Sequence, residues 1–84
     1  MLYDGQMPEE WRDGLNQRIG QNLRRKRIES NLTFNGIYAR TGIDRYTIYK
    51  YESGKRTMRL DNLIWICKKM GWRLSDIIGG GRDA

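Results

Sequence analysis

Leu15, Ile19 and Leu23 recur at steps of four, and Arg27 continues the same row. Residues i and i+4 share one face of a helix, so the spacing predicts a long first helix from about Leu15 to Ser30. Pro8 followed by Glu9 and Glu10 suits an earlier helical start. Proline tolerates the first helical position, and acids favour the positive end of the helix dipole. Gly14 is placed to divide the two pieces, since a mid-helix glycine costs about 1 kcal/mol relative to alanine. Asn31 follows as a left-handed terminator. Further helices are expected at about 34–41, 45–53 and 60–70, with Gly42, Gly54 and Gly71 just past their ends. Leu60, Leu63, Ile64, Cys67 and Met70 form the expected inward stripe of the fourth. Ser75 is placed to cap a short final turn at 76–78. Nothing alternates convincingly with period two, and no repeats occur. The pattern predicts an all-α, five-helix fold.

The stretch from Leu32 to Arg56, LTFNGIYARTGIDRYTIYKYESGKR, carries the most information. Thr33 can cap the second helix and Asp44 the third, each accepting from orphan backbone N–H groups of a first turn. Gly42 falls where the chain must turn through positive φ. Ile37, Ile43, Ile48 and Tyr51 supply the inward faces. Arg45, Tyr46, Tyr49 and Lys50 are left pointing elsewhere. That is the layout of a helix-turn-helix whose second helix enters a DNA major groove.

These residues carry a resemblance that extends from Ile19 to Ile78. IGQNLRRKR, ARTGI, RYTIYKYESGKR and LDNLIWICKKMGWRLSDII follow one another with the order and spacing of the phage-repressor and Cro-type helix-turn-helix family, the lambda-repressor-like, xenobiotic-response-element-like regulators. The resemblance implies a compact five-helix DNA-binding domain over 15–78, with an N-terminal extension at 1–14 and a flexible Gly-rich tail at 79–84. It implies base contacts from Arg45, Tyr46 and Lys50. A guanidinium in that position can bond guanine through O6 and N7 together, and Lys more loosely. The alternative is that some of them touch phosphates only. Asp44, Thr47 and Tyr49 support the reading helix. Lys55, Arg56 and Arg59 follow it and are expected on phosphates, which orient the helix without reading sequence. Most of the run Arg24, Arg25, Lys26 reads as solvated surface.

The resemblance also implies an ion pair between Arg27, closing the first helix, and Glu52, closing the recognition helix. Two positions depart from the family pattern. Phe34 stands where a phosphate-binding Gln is usual. Tyr38 stands where a small Ala lets the helices cross closely, so either the crossing is opened or the register is locally shifted. Trp72 falls on a core apolar position. Trp65 falls on the flank of the fourth helix, where polar residues are usual. Either it forms a two-fold dimer interface, or Trp11 and the N-terminal extension fold over it.

Charge agrees with a nucleic-acid partner. The chain carries 16 Lys+Arg against 10 Asp+Glu. Its acids concentrate before residue 14, and its bases between 40 and 59. A basic face opposite a polyphosphate gains affinity by counterion release. Taken without the motif, a solvated basic surface is an equal reading. At 84 residues the chain is one domain with a modest core. It has no long apolar run for a membrane span and no signal-peptide pattern. One Cys and no His leave no disulfide framework, conventional zinc cluster or His-dependent nucleophile. Cys67, on the inward stripe, reads as an inert buried thiol. No cofactor is expected.

The expected function is a sequence-specific, cytoplasmic DNA-binding regulator, a repressor of phage or mobile-element type, acting on double-stranded DNA as a homodimer. The alternatives are a DNA-binding antitoxin with a protein partner, and a protein-interaction module without DNA binding.

Overall fold

The computed structural model describes residues 8–79, and all its elements are helices: α1 (Glu9–Glu29), α2 (Phe34–Thr41), α3 (Arg45–Glu52), α4 (Leu60–Met70) and α5 (Leu74–Ile78). Residues 1–7 of the expected N-terminal extension, and all but the first residue of the tail, lie outside the described residues.

α1 is a single rod. The division expected at Gly14 does not occur, because Glu9 and Glu10 sit in the first turn and the helix runs unbroken for 21 residues. One glycine's propensity cost is small against the ladder on either side of it. Asn31, at φ 58°, ends the run, and the Leu32 amide returns to the Arg27 carbonyl.

Leu23, Ile37, Ile48, Tyr51, Leu63, Ile66, Cys67 and Ile77 make the core, with Ile19, Ile43, Met58 and Trp72 packed partly buried against it. α1 lies across α3 and α5, α2 packs on α3 and α4, and α4 on α5. The inward stripe of α4 differs from the expected one. Leu63, Ile66 and Cys67 are buried, whereas Leu60 is 64% and Ile64 49% exposed. Both stripes have helical spacing. The sequence does not say which flank of Leu63 and Cys67 the other helices cover.

Two polar groups complete the scaffold. Asn22 is buried and donates to the Ile77 carbonyl at 2.7 Å, tying the end of α5 to α1. Asp76, not Ser75, caps the start of α5, accepting from the Arg73 amide at 3.1 Å. Helix α5 therefore begins at Leu74, two residues earlier than expected.

Candidate nucleic-acid interface

Helix α2, the turn and α3 are fixed first by local capping. The Thr33 hydroxyl accepts from the Gly36 amide at 3.0 Å. Gly42 takes φ 75° with its amide on the Tyr38 carbonyl, a conformation that costs L-residues 1–2 kcal/mol or so. Thr41 is buried, donates to the Ile37 carbonyl and accepts from the Ile43 amide, bracing the turn from inside. Asp44 accepts from the Tyr46 and Thr47 amides at 2.9 and 3.3 Å. Its carboxylate is thus committed to starting α3.

The inner face of α3 is held by Ile48 and Tyr51, both essentially inaccessible. Asn62 donates to the Tyr51 hydroxyl at 2.8 Å. At the far end Glu52 meets Arg27 through two parallel bonds, Nε to Oε2 at 2.6 Å and Nη2 to Oε1 at 3.0 Å. Only 12% of the Arg27 side chain and 4% of the Glu52 side chain is accessible. Arg27 also donates to the Leu32 carbonyl. A pair this deep orients strongly, and losing one partner would strand a charge.

The two unusual residues of α2 find specific uses. The Arg27 guanidinium lies 4.3 Å from the centre of the Phe34 ring, so Phe34 roofs the ion pair with an aromatic face. Ile37 keeps the inward position and Tyr38 turns outward, 47% exposed, so the register of α2 is the expected one. The Arg45 guanidinium stands 5.5 Å over the Tyr38 ring.

The outward face gathers Arg45, Tyr46, Tyr49 and Lys50. Arg45 donates to Asn35 at 2.6 Å, which aims it off the start of α3. Tyr46 is 58% exposed and stacks with Tyr49 at 6.2 Å between centroids. Lys50 lies over the Tyr46 ring and Lys55 over the Tyr49 ring. Cations and aromatic faces therefore alternate along the helix. Arg56 reaches Thr47 through a long bond of 3.4 Å. Lys55 and Arg56 lack carboxylate partners among the described residues. Arg59 differs, being held by both oxygens of Asp61 at 3.1 and 2.9 Å. The Arg59 hydrogen bond holds the Asp61 carboxyl below its ordinary range.

Two contributors escaped the sequence reading, and a third, Arg24, fell in a run read mostly as solvated surface. Gly20 lets α1 touch the end of α3: a Cβ there would collide with the Tyr51 carbonyl oxygen and come within 2.8 Å of the Glu52 carbonyl oxygen. A glycine inside the row Ile19–Leu23 was its signal, since such a position costs helix stability and asks for a packing reason. Asn16 donates to Thr57 at 3.0 Å and ties the basic loop to α1. Arg24 lines, with Phe34 and Tyr49, a cleft of about 300 Å³ beside the recognition helix, and forms no ion pair among the described residues. Trp65 remains 43% exposed, and Trp11, at 58%, lies in a shallow cleft of α1 with Leu15 and Arg18.

Paired capped helices, a glycine turn and a cationic, aromatic outer face define a DNA-binding protein of the helix-turn-helix class. The model of the Cro/C1-type HTH DNA-binding domain matches residues 22–79, well over half of the chain, and the chain belongs to that family. Comparison with individual curated proteins gives no match. Among the described residues no helix is long and apolar enough to cross a membrane.

Proposed function

We propose that this chain is a sequence-specific transcriptional regulator, a repressor of phage or mobile-element type, that binds operators as a homodimer. The observation that carries the reading is the division of α3. Ile48, Tyr51 and Glu52 are sequestered, while Arg45, Tyr46 and Lys50 share the accessible side. Arg45 reads a guanine edge, Lys50 a neighbouring base, and Tyr46 a thymine methyl. Asp44, Thr47 and Tyr49 keep that surface in place. Lys55 and Arg56, joined by Arg24 across the cleft, neutralise phosphates. Arg59 does so once it exchanges Asp61 for a phosphate oxygen. Repression follows from occupancy: a protein bound across a promoter excludes other proteins from it.

Selection of duplexes from a random pool tests the reading. Two related half-sites, centred roughly 34–36 Å apart, are the expected product. A pool that stays unenriched at low salt would defeat it.

A further inference from the structure

The outer face of α4 carries an apolar surface that the DNA-reading face leaves unexplained. Leu60, Ile64 and Trp65 are 64%, 49% and 43% exposed on one helix of 11 residues. Large exposed apolar side chains scattered singly are ordinary, but three on neighbouring helical positions form a patch. Trp65 is also fixed. Its indole N–H donates to the Thr41 carbonyl at 2.7 Å, and Lys69 lies 5.1 Å from its ring. The bond satisfies a C-terminal carbonyl of α2 and presents the ring as a rigid plate. Little side-chain entropy is left to lose on binding there.

Charge placement on the same face is self-complementary. Asp61 stands at the start of α4 and Lys68 near its end, and both are exposed. Ile64 and Trp65 occupy the midpoint between them. A second α4 turned end for end about that midpoint brings Asp61 against the partner's Lys68, and Ile64 against the partner's Trp65. Each pairing occurs twice, as two-fold symmetry requires. The antiparallel arrangement also sets opposite helix dipole ends together. Lys68 has no ion-pair partner among the described residues, and the Asp61 carboxylate, which accepts from Arg59 and from the Asn62 amide, keeps an acceptor position free on Oδ2.

We infer that the outer face of α4 is the homodimer interface, seating a second copy of this chain antiparallel across Ile64 and Trp65. This deepens the proposed function by assigning the surface that pairs two reading helices, and it needs nothing from the outward face of α3.

The test measures self-association of the full chain by sedimentation equilibrium without DNA. Wild type is expected to dimerise. Ile64→Glu should weaken the dimer about tenfold or more, because it places a charge at the centre of the contact. Circular dichroism confirms folding, since Ile64 lies outside the core. Asp61→Lys alone and Lys68→Glu alone should each weaken the dimer about fivefold or more, as like charges then meet twice. An equimolar mixture of these two variants should recover association as a heterodimer, because each then offers the charge the other lacks. A monomeric wild type overturns the inference, even if another protein binds the patch. So does an Ile64→Glu dimer of unchanged strength, or a mixture with no recovery. Binding of Ile64→Glu to a single selected half-site reports the reading helix separately. Its failure to bind, alongside a wild type that dimerises and an Ile64→Glu that does so more weakly, would count against DNA recognition and not against this interface.

Discussion

The inner and outer sides of α3 are built from the same eight residues to opposite specifications. Inside, Tyr51 and Glu52 press on the bare backbone of α1 at Gly20, and Glu52 is clamped by an Arg27 that Phe34 roofs over. Outside, Tyr46, Tyr49 and Lys50 lie against one another, joined by Lys55 from the loop that follows. Interior packing tolerates little change in volume. Surface stacking of this sort contributes a few tenths of a kcal/mol to about 1 kcal/mol and can be exchanged for contacts with a ligand. The comparison teaches that placement and reading are separable: the inner side fixes where the helix lies, and the outer side determines what it meets.

Substitutions can test that separation, beginning with the inner side. Gly20→Ala should lower stability by about 3 kcal/mol, at the upper end for overpacking, because backbone and not a flexible side chain occupies the space. Urea unfolding measures it, and a loss under about 1 kcal/mol would mean that α1 and α3 part readily. Arg27→Met should cost about 3–5 kcal/mol by stranding Glu52 in the interior. Adding Glu52→Leu should recover part of the loss, and a double-mutant cycle reads the coupling.

On the outer side the expected effects fall on binding. Arg45→Ala should cost about 1–3 kcal/mol at one base position of the selected operator and little elsewhere, as competition with single-base variants would reveal. Lys55→Ala should weaken every duplex alike and reduce the salt slope by about 1. Unfolding midpoints of both variants should stay near wild type, and a large drop in either would dissolve the distinction. The smallest expected effect concerns Cys67, whose thiol burial pushes up in pKa. Alkylation at neutral pH should be slow in the folded chain and fast in urea.

Much of this arrangement was legible in the sequence, and the physics explains which part. Thr33, Gly42 and Asp44 act within three or four residues of themselves, so their roles follow from local backbone geometry. The same holds for Asn31. Ile37, Ile48 and Tyr51 could be assigned inward because period and turn agree. Gly20 could not, since its reason is the carbonyls of Tyr51 and Glu52, some thirty positions away. Asn22 depends likewise on Ile77. The α4 stripe went astray because Ile64 and Ile66 fit helical periods equally well, and only the placement of α2 and α5 decides between them. Phe34 read as a departure because its partner, the guanidinium of Arg27, lies on another helix.

The contact at Gly20 has a bearing on how such a chain changes over time. Where two backbones meet with no side chain between them, their approach is set on the inner side, at Tyr51 and Glu52, and not by any residue on the outer side of α3. Arg45, Tyr46 and Lys50 can therefore be exchanged freely without the rod beneath them shifting. New operator preferences are open to single substitutions, while the platform that holds them tolerates almost none.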